Sequence, residues 1–291
     1  MILSFDRAWV MGVSGVAIKG EVRMHVEDLG VIAGPVLVFG GPYSNIHATQ
    51  AVLEEAEARD ALAICTGDVV AYCARPVETI AAIRAAGCPV VAGNCEIQLG
   101  AAASDCGCGF DAGSTCDLLS KGWFAFADMW VGTDDRTWMA GLPDVVIFRH
   151  AEARYAVLHG CVSDVARFLW PTSSASALES EWDALEKEVG TVDHVFAGHS
   201  GISFQRPLRR GIWINAGVIG MPPHDGSPKT AFAVLENGQT SLHRLSYDFA
   251  SAVRDMRAAG LTQGYHRALK SGYWPSEDIL PPDLRLFLAS G

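Results

Sequence analysis

The chain has 291 residues, 49% of them apolar and 19% charged, with 30 Gly and 13 Pro. At roughly 150 residues per domain this is one large folded domain or two small ones, and the composition excludes disorder over most of the length. A net charge of -11 argues against a nucleic acid duplex as partner, because a phosphate backbone wants a basic face.

Residues 1–34 carry no strong hydrophobic period and read as an N-terminal extension or hairpin. The apolar stretch at 8–18 is too short and too Gly-rich for a membrane span, and Asp6 rather than a basic leader precedes it. The expectation is a soluble, cytoplasmic protein with no membrane partner. From residue 35 a regular alternation begins. Val36-Leu37-Val38-Phe39 followed by Gly40-Gly41-Pro42 predicts a buried strand ending in a turn. The spacing of Val52, Leu53 and Ala56 predicts a helix over 47–59. A strand is expected at 61–65, a helix over 76–86 with Pro at its start and Gly87 just past its end, and a third strand at 89–92. This β-α-β-α-β order predicts a parallel sheet with covering helices.

Residues 100–150 read differently, as a cap insertion: a small, Cys-rich and Gly-rich start, then Trp123, Trp130 and Trp138 in helical material. At that spacing the three rings read as core before they read as stacking platforms for a nucleobase. Strands return at 155–158, 192–197, 212–216, 231–235 and 241–245, with an amphipathic helix at 179–189 and Asn237-Gly238 as a hairpin turn. The main domain is placed at 35–246, and 247–291 as a helical, then Pro-rich, tail packed on it.

Polar residues able to bind metal stand just after the apolar strands: Asn45 and His47, Asp68, Asn94, His159 and His199. In open α/β sheets ligands bind beyond the carboxyl ends of the strands. A set mixing imidazole nitrogens with carboxylate and amide oxygens suits Mn, Fe, Zn or a similar divalent ion.

The motifs in order are Tyr43-Ser44-Asn45-Ile46-His47, Gly67-Asp68, Gly93-Asn94-Cys95-Glu96, His159-Gly160, Gly198-His199-Ser200-Gly201 and Asn215-Ala216-Gly217. The chain resembles the calcineurin-like metallophosphoesterases, in particular their bacterial branch with diadenosine-tetraphosphatase-like members. That resemblance implies an α/β fold, a four-layer α/β/β/α sandwich of two mixed sheets. It also implies a metal-dependent phosphoesterase that hydrolyses a phosphate ester or anhydride of a small molecule or nucleotide through a metal-activated water. By the same resemblance Asp68 bridges two metals and Asn94, His159 and His199 complete one of the sites. The other site takes an Asp and a His from the first motif and a His two positions after Gly198-His199. Those places are read here as Asn45, His47 and Gly201. Asp68 is then the one anionic ligand available to offset two cations held about 3.5–4 Å apart. The expectation is one firmly bound divalent metal (Mn, Fe, Zn or Ni) and a second that is weak or absent.

The family's leaving-group acid is a His after the motif Asn, oriented by a carboxylate. Here Cys95 and Glu96 stand in those places, so Asp68, Cys95 and Glu96 are the catalytic candidates. A thiol of ordinary pKa near 8.5 donates a proton or, beside a metal, exists as thiolate. Cys73, Cys95, Cys106, Cys108 and Cys161 all fall near the motifs, so a thiol-lined, cysteine-rich centre for a soft metal or a redox-responsive disulfide is an alternative to small residues filling space. Arg75 and His224 are the candidate phosphate-binding residues. The rival functional reading is a catalytically weakened binding or sensing protein with a single metal or a thiol-rich metal centre. The expected partner is a small phosphorylated substrate, and the sequence is compatible with a homo-oligomer.

Overall fold

Val36, Leu37, Val38 and Phe39 are all fully buried, which a strand achieves only when both its faces are covered. The structure, a computed structural model, describes residues 24–286. One sheet has six strands in the order β1 (Val26–Val31), β4 (Val145–His150), β5 (Ala153–Leu158), β6 (His194–Ala197), β8 (Ile212–Asn215) and β7 (Phe204–Pro207). The other has four, in the order β10 (Gln239–Leu245), β9 (Thr230–Glu236), β2 (Val36–Phe39) and β3 (Leu62–Cys65). Both mix parallel and antiparallel pairs.

Strand alternation sorts side chains into the layers. Val36 and Val38 of β2 join Val146, Phe148, Val157 and Phe196 of the larger sheet in one apolar layer between the sheets. Leu37 and Phe39 point the other way, to helices α1 (Ile46–Ala58) and α2 (Pro76–Ala85). On the outer face of the larger sheet, Val145, Ile147 and Val195 pack against Leu178, Trp182 and Leu185 of α6 (Ala175–Val189). The result is the expected α/β/β/α sandwich.

Several elements differ from the expectation. The third strand at 89–92 is reduced to a single bridge between Cys65 and Val90. Pro89 has no N–H to give, and the Ala92 amide donates to Pro143 instead of the sheet. The expected N-terminal extension ends inside the larger sheet, because Val26–Val31 pairs in parallel with β4; residues 1–23 lie outside the described residues. Residues 94–140 hold three helices, α3 (Asn94–Gly100), α4 (Thr115–Trp130) and α5 (Thr133–Ala140). Trp123 is core, Trp130 is exposed beside Phe126, and Trp138 lies under the Arg84 guanidinium. The tail forms α7 (Phe249–Ala258) and α8 (Tyr265–Ser271), and Trp274, Pro275, Ser276 and Ile279 beyond them line a crevice shared with Asp68 and His199. Among the described residues no helix is long and apolar enough to cross a membrane.

Candidate metal centre

β2 and β3 run parallel in one sheet, and β5, β6 and β8 run parallel in the other. Their carboxyl ends therefore open on one crevice, and the loops leaving them carry the polar residues. After β3 the chain makes a tight turn at Gly67 (φ +95°) and Asp68 (φ +57°). A side chain at Gly93 would collide with the Asp68 carboxylate and the Glu96 Oε2, so the Gly-Asp and Gly-Asn motifs need their glycines for close approach.

Asp68, Asn94, His159 and His199 meet at the base of the crevice, each at most 7% exposed. The His159 Nε2 lies 2.8 Å from His199 Nδ1, 3.1 Å from Asn94 Oδ1 and 3.5 Å from Asp68 Oδ2. The opposite nitrogen, His159 Nδ1, is 2.7 Å from the Thr66 carbonyl, which fixes it as the protonated one and leaves Nε2 as a lone pair. Asn94 Nδ2 donates to the Cys106 carbonyl at 2.9 Å, which aims Oδ1 inward. Burial, and next the adjacent His159, hold the His199 imidazole well below its usual value, while the Ala166 backbone pulls the other way. Two imidazoles, an amide oxygen and a carboxylate thus converge, a donor set that fits a borderline divalent ion. Among the described residues this is the one place where three His, Cys, Asp or Glu donors gather so closely.

The remaining sequence candidates lie elsewhere. Asn45 is the N-cap of α1: its Oδ1 accepts from Ala48 N at 3.2 Å, and its Nδ2 donates to Gly220 O and to the Tyr247 hydroxyl. His47 turns outward to Asp255, 3.0 Å away. Arg75 grips the same carboxylate through Nε and Nη2, at 3.0 and 2.9 Å, and reaches Glu78. The segment that abuts Asp68 is instead Gly41–Tyr43, because the amides of Gly41, Tyr43 and Ser44 bond to the carbonyls of Gly67, Asp68 and Val69. Tyr43, Gly201 and Val218 line the same crevice as Asp68, and none of the three carries an imidazole or a carboxylate.

Glu96 is fully buried, and its two oxygens accept from three backbone amides, those of Asp68 (2.7 Å), Val69 (2.8 Å) and Gly93 (2.9 Å). Burial and the nearby Asp68 carboxylate push it up to about 7, while those amides favour its charged form. It clamps the two ligand-bearing turns together and does not line the crevice. Burial, then Asp68 and Glu96, push the Cys95 thiol well up, so it is a neutral core group rather than a proton donor facing the crevice. Of the other cysteines, Cys106 and Cys108 are joined as a disulfide, with Cys108 Sγ 3.3 Å from Asn94 Nδ2. Cys73 turns to the Gly220 carbonyl and Cys161 to that of Arg167, so the five sulfurs do not form one centre. His224 Nδ1 accepts from Trp274 N at 2.7 Å and its Nε2 lies 2.6 Å from Glu277; it anchors the tail and does not line the crevice.

Opposite the ligands the crevice is aromatic: Tyr43, Tyr72, Phe110, Phe168, Tyr265 and Trp274 line it. Tyr43 belongs to the first motif; Phe110, Phe168, Tyr265 and Trp274 come from loops and the tail, with no motif to mark them in the sequence.

The sequence model of the calcineurin-like phosphoesterase superfamily domain matches residues 37–239. A metallophosphoesterase from Sphaerobacter thermophilus superposes with a TM-score of 0.64 at 21% identity, over 83% of this chain and 100% of its own. A hypothetical protein from Pyrococcus horikoshii gives 0.67 at 17%, over 82% and 98%. No functionally curated protein matches the sequence. The chain belongs to the calcineurin-like phosphoesterase family, whose members are metal-dependent hydrolases.

Proposed function

We propose that the protein is a phosphoesterase working with one divalent cation held by Asp68, Asn94, His159 and His199, on a small phosphorylated substrate. The observation that carries this reading is the convergence of those four side chains on one point, with Asn94 Oδ1, His199 Nδ1 and Asp68 Oδ2 all within 3.5 Å of His159 Nε2. A cation bound there supplies charge stabilisation to the phosphoryl oxygens and lowers the pKa of coordinated water. The chain contributes the rest. Thr66 fixes the His159 tautomer, and Glu96 holds the backbone of Asp68 and Gly93. The mostly apolar wall lowers the local dielectric, which strengthens charge interactions at the floor of the crevice.

A second reading is favoured by residues that share the crevice with Asp68. Tyr43, Gly201 and Val218 offer a second cation no charged ligand, and Cys95 is not placed to protonate a leaving group. This reading keeps the ion and loses turnover, leaving a binding or sensing protein. The purified chain is to be analysed for metal content and assayed with a chromogenic phosphodiester plus Mn, Ni or Zn. Metal-dependent turnover abolished by Asp68→Asn supports the enzyme. One bound metal with no turnover across a broad panel of phosphate esters supports the sensor.

A further inference from the structure

The crevice in front of the ligands opens to solvent, and its lining surface is mostly apolar. Its floor is Asp68 and His199, and neither Lys nor Arg is among its described lining residues. Beside the floor stands a row of parallel rings. Phe168 lies 4.3 Å from the His199 ring, and on its other sides it is parallel to Trp170 at 5.2 Å and to Phe110 at 6.5 Å. Phe110 and Phe168 are half-buried, so the row forms part of the crevice surface as well as of the core.

Charge counting narrows the ligand. A divalent cation with one carboxylate and three neutral ligands leaves a net charge of +1. A phosphodiester monoanion cancels it. A phosphomonoester dianion or a polyphosphate chain leaves uncompensated negative charge in an apolar pocket without a basic side chain, which is costly.

We infer that the crevice takes a phosphodiester of single negative charge bearing a flat apolar ester group, aryl or similarly carbocyclic, stacked along Phe168 and Phe110. The phosphoryl half of this statement rests on the phosphoesterase reading above, and the apolar half rests on the pocket wall alone.

The test uses calorimetric titration of the Mn(II)-loaded full chain with diphenyl phosphate, phenyl phosphate, adenosine 5′-monophosphate and tripolyphosphate. Diphenyl phosphate is expected to bind tightest. Phe168→Ala is expected to weaken it about tenfold, and Phe168→Leu less, with Mn(II) affinity retained in both. Ligand-observed NMR with neutral p-cresol on the metal-free protein isolates the wall: binding is expected, and is weakened by Phe168→Ala. Tighter binding of adenosine 5′-monophosphate or tripolyphosphate than of diphenyl phosphate overturns the inference, as does p-cresol binding that Phe168→Ala leaves unchanged. Failure to bind Mn(II) defeats the phosphoesterase reading and with it the phosphodiester half, while p-cresol bound and lost with Phe168→Ala still upholds the aryl wall.

Discussion

The Oδ1 of Asn94 faces the Nε2 of His159 at 3.1 Å, and the same Nε2 lies 2.8 Å from His199 Nδ1. Asn94 spends its N–H on the Cys106 carbonyl, and His159 spends its own on Thr66. Nitrogen and oxygen ligand atoms of four side chains gathered this closely in a buried site are best satisfied with a cation among them. Metal binding is therefore expected to stabilise the fold. At a hundredfold excess over Kd the gain is about 2.7 kcal/mol. For a chain of this size that corresponds to a rise of roughly 5–10 °C in Tm. Differential scanning fluorimetry with and without Mn(II), then with a chelator, measures it. Asp68→Asn and His159→Ala should abolish the shift.

Glu96 gives a sharper separation of roles. Its carboxylate accepts three backbone N–H bonds that hold the left-handed turn at Asp68 against Gly93. Gln would turn an N–H₂ toward at least one of those amides, leaving a buried donor unpaired at a cost of about 1–3 kcal/mol. Glu96→Gln is expected to lower Tm by roughly 3–10 °C and to weaken Mn(II) binding together with any turnover. A group acting only in proton transfer would lower kcat and leave Tm and metal affinity alone, so the three measurements on one variant decide the matter.

The ligands were legible because each of Asp68, Asn94, His159 and His199 closes an apolar run, and parallel strands bring such ends together. Asn45 and His47 satisfy the same rule but miss the site. Gly40-Gly41-Pro42 lengthens the turn after β2, so Tyr43 reaches Asp68 and Asn45 arrives only in time to cap α1. An Asn three residues before the buried Ala48 was the available sign of a cap. Edge strands hid for another reason. β1 is almost wholly exposed and contains Glu27, Asp28 and Gly30, and β7 has one buried residue in four, so neither shows an alternation. β4 carries Val145-Val146-Ile147-Phe148, a run as apolar as that of β2, yet the expectation assigned it to the cap insertion at 100–150; the run itself was the sign of a buried strand. The aromatic wall left no pattern because Phe110, Phe168 and Trp274 sit singly in loops far apart in the chain.

Asp255 ties α7 to the start of α1 and α2, accepting from His47 and, through both oxygens, from Arg75. The Arg75 hydrogen bonds first, and His47 after them, hold its carboxyl down at about 2. A depressed carboxyl means the unfolded chain binds more protons than the folded one between the ordinary value near 3.9 and about 2. Its contribution is thus fully present above that ordinary value and is lost as pH falls toward 2. Asp255→Asn is expected to lower Tm at neutral pH by only a few degrees, because partly exposed pairs contribute about 0.2–1 kcal/mol each. It should also flatten the decline of Tm below pH 4. His47→Ala and Arg75→Ala are expected to act in the same direction and leave Mn(II) affinity untouched; a tenfold loss of metal binding in either would return them to the site.

The Cys106–Cys108 disulfide makes its own prediction, since it stands where the loop after α3 meets a ligand. It closes a loop of so few residues that chain entropy gives it little, about 1.6 kcal/mol. What it shapes is local: the Cys106 carbonyl orients the Asn94 amide, and Cys108 Sγ lies against the same nitrogen. The double variant Cys106→Ser/Cys108→Ser should therefore melt within a few degrees of the parent, while its Mn(II) affinity falls by about tenfold, the range typical of lost outer-sphere support for a ligand. Titrating parent and variant under oxidising and reducing buffers checks this. The parent is expected to weaken on reduction and the variant to ignore it. Equal affinity in all four arms would show that the Asn94 amide keeps its aim without the disulfide.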